Sequence, residues 1–374
     1  MRILGLADDL TGALEIGAKF AKAGLRPLVT TELTLCPAGW EESHDALVID
    51  TETRHAAPEE AAARVRLLAS AARERGVSIV YKKTDSTLRG NIGSELKALL
   101  DAFPGAPVLY APAYPAMGRT VKRGVLLVNG VPVSETAFGR EPLNPVRTSH
   151  IGELLAPAPV KLMERALAAE GPFVHVYDGE SDADITAVAR VLQGIGGVRL
   201  AAGPAAFAGE IAALASPGGR RAPAAWPVIA DCLVVNGSLH AASHGQVRHA
   251  LGSGWQRVEP GAYRSGWAVL ETGESGGERL GLEFAARLGE AVSHTMKRAR
   301  LEALVVFGGD TAWGVLSALG FPALEPLGEV LPGVPVSQVR TGGRTLYLIT
   351  KAGGFGPPEL LGNLRIKLSG ESRA

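Results

Sequence analysis

Short blocks of consecutive apolar residues alternate along the chain with longer stretches whose apolar positions recur every three or four residues. The blocks are Ile3–Ala7, Ala46–Asp50, Val77–Tyr81, Val108–Ala111 and Phe173–Tyr177. Runs of this length, rich in branched residues, predict strands buried on both faces. Pro58–Arg75, Ile92–Leu100 and Asp182–Gln193 have helical spacing, and the alternation predicts a parallel sheet covered by helices on both faces. Gly124–Val133, where four apolar residues lead into Asn129-Gly130, predicts a hairpin arm with a tight turn.

Turn formers and charge crowd Ser216–Pro223, and a second alternating series follows them. It predicts strand Cys232–Val235, a helix near Gly245–Leu251, a long helix Glu278–Arg300, strand Leu304–Phe307, a helix after Thr311 and strand Thr345–Thr350. Leu280, Phe284, Leu288 and Val292 give the long helix one apolar face. The pattern therefore describes two α/β domains, 1–218 and 219–374, each with a mainly parallel sheet flanked by helices, and places an active site in the cleft between them. A length of 374 residues suits two domains.

Charge changes the picture by exclusion. Lys plus Arg and Asp plus Glu balance at 38 each, which leaves no electrostatic footprint for nucleic acid and no single-sign tail for a membrane surface. The expected partner is a small molecule. Cys36 and Cys232 stand far apart without ligand-like spacing, so neither a disulfide framework nor a structural zinc site is indicated and a reducing cytoplasm is expected. No apolar run is long enough to span a bilayer, and the opening residues, ended by Asp8-Asp9, are expected to form a first strand rather than a signal peptide.

Candidate chemistry gathers where strands end. Lys82-Lys83-Thr84-Asp85-Ser86-Thr87-Leu88-Arg89-Gly90 joins cations, an acid and hydroxyls. Arg89 can grip a carboxylate through two parallel hydrogen bonds, and Asp85 and Ser86 can sort hydroxyls, a set suited to a sugar acid or a phosphate. The bland alternative is a solvated loop with Lys82 and Lys83 in water. Asp8-Asp9-Leu10-Thr11-Gly12 follows the first strand; one carboxylate there can take a proton from a substrate hydroxyl, or cap the next helix. Asp50-Thr51-Glu52-Thr53-Arg54 closes another strand with acid, hydroxyl and guanidinium, and Arg119 sits in a proline-stiffened loop after a fourth. Arg140-Glu141-Pro142 and Asn144-Pro145-Val146 read as an extended flap with no assigned role.

The second half has a different vocabulary. Gly237-Ser238, Gly308-Gly309-Asp310-Thr311 and Lys351-Ala352-Gly353-Gly354 each follow a strand. Glycine lets backbone N–H groups approach phosphate oxygens, so three such loops read as a nucleotide cradle, against ordinary βα turns. Neither a GxxxxGKS/T loop nor a GxGxxG fingerprint is present, which disfavours a dehydrogenase.

In this order, Asp8–Ala13, Lys83–Gly90, Ala111–Thr120, Gly237-Ser238, Gly308–Thr311 and Lys351–Gly356 resemble the signatures of the four-carbon acid sugar kinases, and the resemblance spans nearly the whole chain. It implies a sugar-acid-binding N-terminal domain, a C-terminal domain for ATP with Mg²⁺, and phosphorylation of the terminal (C4) hydroxyl of threonate, erythronate or a 3-oxo-tetronate. It further implies that Asp8, Asp9, Asp85 and Lys83 serve catalysis and that Thr11, Arg54, Ser86, Arg89 and Arg119 hold the acid. Gly237, Ser238, Gly308, Gly309, Asp310, Thr311, Lys351, Gly353 and Gly354 then hold the nucleotide. A homodimer is the candidate assembly. Two positions depart from the family: His240 stands where a serine is usual, and Pro357-Pro358 where an acid is common. These departures motivate one alternative, a non-catalytic sugar-acid sensor with a decayed nucleotide site.

Overall fold

A computed structural model of the protein describes residues 2–141, 144–216, 226–270, 282–341 and 343–370. The chain forms two compact units, Met1–Arg221 and Ala222–Ala374. The boundary expected between 218 and 219 lies outside the described residues.

In the first unit the order is β1 (Ile3–Ala7), α1 (Leu10–Lys22), β2 (Pro27–Thr30), β3 (Ala46–Asp50), α2 (Pro58–Glu74), β4 (Ile79–Lys83), α3 (Ile92–Ala102) and β5 (Val108–Tyr110). An antiparallel arm, β6 (Arg119–Lys122), β7 (Val125–Val128) and β8 (Val131–Pro132), follows. Then come α4 (Ile151–Leu154), β9 (Val160–Met163), β10 (Val174–Tyr177), α5 (Asp182–Gln193), β11 (Arg199–Gly203) and α6 (Ala205–Ala215). Within this unit the strands run β2-β3-β1-β4-β11-β5-β10-β9, every pair parallel.

Strand β4 shows how helices cover both faces. Tyr81 packs on Phe207 of α6, whereas the next residue, Lys82, reaches Glu95 of α3; consecutive strand residues point to opposite faces. Helices α1, α5 and α6 pack together, as do α2 and α3. The expected hairpin is present, and its turn residues Asn129 and Gly130 have φ of 51° and 82°, the left-handed pair that a two-residue turn requires. One correction concerns β4 itself. The expected strand stopped at Tyr81, but Lys82 and Lys83 lie inside it and are buried, because α3 and α1 supply partners that the apolar pattern cannot show.

The second unit contains β12 (Cys232–Asn236), α7 (Ala241–Gly252), β13 (Gln256–Val258), β14 (Trp267–Leu270), α8 (Leu282–Met296), β15 (Ala303–Phe307) and α9 (Gly309–Leu319). The meander β16 (Ala323–Leu331), β17 (Val334–Thr341) and β18 (Arg344–Lys351) leads to α10 (Leu360–Leu368). The order is β13-β14-β12-β15-β18-β17-β16, parallel through β18 and antiparallel beyond. Phe284, Leu288 and Val292 are buried on α8 as their spacing predicts; Leu280 and the expected first turn lie outside the described residues. Helices α8 and α9 meet at Gly289 and Gly314, where a methyl on Gly289 would come within 2.3 Å of the Gly314 carbonyl oxygen. A helix near Gly245–Leu251 is present but starts earlier, at Ala241.

Candidate functional site

Register collects the chemistry of the first unit. Ala7 pairs with Asp50 of β3 and Lys83 of β4, and Lys83 pairs with Gly203 of β11, so the segments beginning at Asp8, Thr51 and Thr84 leave the sheet at one level of its carboxyl edge. The Asp8 carbonyl accepts from the backbone of Thr53 and Arg54, both at 3.1 Å. That turn brings the Arg54 guanidinium back over the first loop, with Nε donating to Asp8 Oδ2 at 2.7 Å and Nη1 to Asp9 Oδ2 at 2.6 Å. Asp9 also caps α1, accepting from Gly12 N at 2.8 Å.

Asp85 is claimed from several sides. Arg89 donates to it from Nε at 2.9 Å and Nη2 at 2.8 Å, and the Thr87 backbone and hydroxyl also donate to it. These bonds hold Leu88, buried at φ 68°, in a conformation that costs a non-glycine residue about 1 kcal/mol or more. On its outer side Arg89 meets Glu141 at 3.0 Å and lies over the Phe138 ring, so the flap segment reaches the motif loop; its Pro142 lies outside the described residues. A cavity of about 320 Å³ opens beside Arg89, Gly90 and Asn144.

The two arginines assigned to a substrate carboxylate are thus both held by the protein's own acids. Arg119 differs, and Lys83 is held more loosely, its Nζ donating to the Thr84 carbonyl at 3.0 Å. The Lys83 ammonium is buried beside Gly12, where an added methyl would come within 2.9 Å of it, and Glu15 stands 3.8 Å away. Arg119 Nη1 donates to the Met117 carbonyl, while its buried Nε has no hydrogen-bond partner among the described residues. Asp8 Oδ1 and Thr11 Oγ1 are likewise buried and unbonded. Ser86 is half-buried in the Asp85–Arg89 loop.

Electrostatics separates the carboxyls. Burial pushes Asp8 up, but Arg54, Lys82 and Lys83 outweigh it and hold the group below its ordinary value. Asp85, also buried, is held well below by Arg89 and Arg54. Burial raises Asp50 well above its ordinary value, with Glu52 adding to the shift, and burial raises Glu95 against the pull of Lys82. Burial also lowers Arg119.

In the second unit Asn236, Phe307 and Lys351 share one register level, so the three glycine loops leave the sheet together. Their glycines are needed for packing before any ligand is considered. A methyl on Gly237 would fall 1.9 Å from Thr311 Oγ1, and one on Gly353 would fall 2.0 Å from Ser238 Oγ and 2.6 Å from the His240 ring. Gly308 adopts φ 103° before α9, whose first turn carries the exposed Asp310. Lys351 turns inward: Nζ lies 2.8 Å from the Ala352 carbonyl and 3.1 Å from that of Gly353, between the Phe307 and Phe355 rings. Burial draws its pKa down to about 8. Ser243 and Gln246 of α7 bond the Gly353 and Phe355 carbonyls at 2.8 and 3.0 Å, and Gln246 also reaches the Pro357 carbonyl at 3.2 Å. Pro357 is thereby built into the loop's attachment to α7.

Sequence reasoning missed Glu95 and Glu141. Both are ordinary acids outside any motif, and only the folded chain brings them to Lys82 and Arg89.

Two acid-and-guanidinium loops on one parallel sheet and three glycine loops on another suit an enzyme that handles a sugar acid and a nucleotide. Residues 3–211 match the model of a sugar-binding N-terminal domain and residues 268–361 that of a nucleotide-binding C-terminal domain, and the molecule is a sugar-acid kinase in class. The chain is 33% identical to a D-threonate kinase of Bordetella bronchiseptica, covering 95% of each. It is 28% identical to a 3-oxo-tetronate kinase of Pseudomonas fluorescens over 98% of this chain and 96% of that one. With a D-erythronate kinase of Heliobacterium modesticaldum the identity is 27% over 93% and 92%. Among solved structures, a Salmonella typhimurium protein superposes with TM-score 0.80 at 20% identity, covering 98% of this chain and 100% of that one, and shares the fold. A Bordetella bronchiseptica structure, a domain-swapped dimer with bound citrate, is 30% identical with TM-score 0.53, covering 98% of both chains. This chain belongs to the four-carbon acid sugar kinase family.

Proposed function

We propose that the protein transfers the γ-phosphoryl group of ATP to the terminal C4 hydroxyl of a four-carbon sugar acid of the threonate, erythronate or 3-oxo-tetronate type. The observation that carries this reading is Asp8: one carboxylate oxygen is fixed by Arg54, while the other is buried and unbonded among the described residues. A lowered pKa keeps the group ionised at neutral pH, so it is an acceptor for a substrate hydroxyl. Asp9 is engaged as a helix cap and Asp85 by Arg89 and Thr87, which favours Asp8 over both as the group that orients the hydroxyl and receives its proton. Phosphoryl transfer asks chiefly for such positioning and for charge stabilisation.

Arg119 and Lys83 take the substrate carboxylate and the developing charge, and Thr11 and Ser86 read hydroxyls. Arg54 and Arg89 act by holding Asp8, Asp9 and Asp85 in place. The citrate bound by the Bordetella relative supports a carboxylate site in this family. In the second unit Gly309, Thr311, Gly353 and Gly354 offer backbone N–H groups to the phosphates, aided by the α9 N-terminus, while Gly237, Ser238 and Gly308, whose N–H groups bond the Phe307 carbonyl, Asn236 Oδ1 and the Lys351 carbonyl, shape the loops. Lys351, held inward on the Ala352 and Gly353 carbonyls, fixes the last loop of the cradle. ATP enters as its Mg²⁺ complex. Such an ion is carried mainly on the phosphates with few protein ligands; Asp310 stands in the first turn of α9 beside these loops.

The relative's domain-swapped dimer supports a homodimer here, testable by light scattering. The free thiols of Cys36 and Cys232 support a reducing cytoplasmic location. The deciding experiment is ADP release from MgATP with each stereoisomer of threonate and erythronate and with fresh 3-oxo-tetronates, followed by mass spectrometry of the acid. Acid-dependent ADP with a C4 monophosphate is expected. Acid binding without ADP formation from any of these would overturn the reading.

A further inference from the structure

Lys82 contributes to the reading above only as one of the charges near Asp8, and Glu95 not at all. The Lys82 side chain has no solvent exposure and Glu95 has 1%, so two charged groups lie in the interior between β4 and α3. Nζ of Lys82 stands 3.1 Å from Glu95 Oε2 and donates to its neighbour's carbonyl, Lys83 O, at 2.9 Å. The other Glu95 oxygen accepts from Thr53 Oγ1 at 2.5 Å, and Thr53 Oγ1 also meets Thr51 Oγ1, which donates to the Ala7 carbonyl at 2.7 Å. Thr53 immediately precedes Arg54, and both donate backbone N–H groups to the Asp8 carbonyl. The chain of contacts is therefore closed: Lys82, Glu95, Thr53, Arg54, Asp8, and back through paired strands β1 and β4.

A buried ion pair is a poor source of stability, since well-packed apolar residues of similar size often serve as well or better. What this pair does supply is a fixed anchor for the Thr53–Arg54 turn on the side away from α1. We propose that Lys82 and Glu95 are positioning residues that, through Thr53, hold the Arg54–Asp8 pair in the arrangement used for catalysis. The inference rests on the kinase reading only for the identity of the reaction. The electrostatics agree, because Lys82 is among the charges that keep Asp8 ionised.

The test is the double variant Lys82→Met/Glu95→Leu, which removes both charges together and leaves neither unpaired. The melting temperature is expected to equal or exceed that of the parent protein. Turnover with the best acid is expected to fall about tenfold to a hundredfold, with the acid limb of its pH profile moved upward. Lys82→Met/Glu95→Gln, which also leaves no charge unpaired but keeps an acceptor for Thr53, is expected to recover much of the turnover and serves if the first double variant fails to fold. Titration of the Asp8 carboxyl by carbon NMR, with no substrate present, reads the same coupling and should move upward in the double variant. An unmoved Asp8 titration in a folded double variant overturns the proposal, as does parent-like turnover with an unmoved profile. A parent protein that forms no ADP with any acid would overturn the kinase reading instead, and the NMR titration would still decide the positioning claim.

Discussion

Arg54 Nε lies 2.7 Å from Asp8 Oδ2, with 12% and 2% of the two side chains exposed. At this burial the pair is a fixed element of the site rather than a surface contact, and the same guanidinium reaches Asp9 from Nη1 at 2.6 Å. Lysine has no planar fork with which to span both acids. Arg54→Lys is therefore expected to lower kcat about tenfold to a hundredfold while leaving ATP affinity, measured by calorimetry, within about twofold. An unchanged kcat would remove Arg54 from the organisation of Asp8.

Arg119 offers the complementary case. Its buried Nε lacks a hydrogen-bond partner among the described residues, so its contribution should appear when the acid binds. Arg119→Gln is expected to raise KM for the acid about tenfold or more with a smaller change in kcat. A fall in kcat at constant KM would mean that it acts on the transferring phosphoryl rather than on the bound carboxylate.

Asp85 sets an acid limit on the fold. Its carboxyl is held well below the ordinary value of 3.8, so the unfolded chain takes up a proton before the folded one does. The stabilisation is complete above that ordinary value and is lost as pH falls through the lowered one. Asp85→Asn should flatten the dependence of urea midpoint on pH below about pH 4, at the cost of a lower midpoint at pH 7. An unchanged slope would show that other carboxyls carry the acid transition.

Asp50 should behave in the opposite sense. Its folded value is raised well above 3.8, so stability declines as pH rises from the unfolded value through the folded one. Asp50→Asn keeps an acceptor for the Glu52 N–H, which now bonds Oδ1 at 3.0 Å, and removes the titration. Its melting temperature at pH 7 is expected to match or exceed the parent's by about 2 °C. A drop of several degrees would show that the acid is required as such.

Two glycines eight positions apart in sequence, Gly237 and Gly245, should respond in opposite directions. Gly237→Ala would place a methyl 1.9 Å from Thr311 Oγ1, and ATP affinity is expected to fall about tenfold or more. Gly245, inside α7, has open space about its added methyl, and Gly245→Ala should stabilise the protein by about 0.5–1 kcal/mol. Calorimetric ATP titration and thermal melts of both variants check the pair.

Much of the architecture was legible because buried parallel strands announce themselves as unbroken apolar runs; β1 and β3 have the expected bounds, and α5 does too. Strand β16 was not legible. Its buried and half-buried positions alternate through Glu325, Pro326, Gly328 and Glu329, residues that read as loop. Among the candidate site residues, Asp8, Arg54, Asp85 and Arg89 were singled out by type and position, but their mutual pairing was not legible, because spacing along a chain does not say which acid a guanidinium will meet. Lys82 shows the limit most plainly. Nothing in the sequence separates a lysine in water from one enclosed with Glu95 of a helix ten residues on.

The meeting of α8 and α9 at Gly289 and Gly314 has a further consequence. Main chain touches main chain there, with 2.3 Å between each missing methyl and the facing carbonyl oxygen, so the seating of α9 is set by atoms that every residue shares. Redesign of this enzyme for another phosphate donor can therefore vary the apolar side chains around the crossing widely, but it must treat those two glycines as a hinge pin: to change either is to tilt the loop at Gly308 that α9 carries.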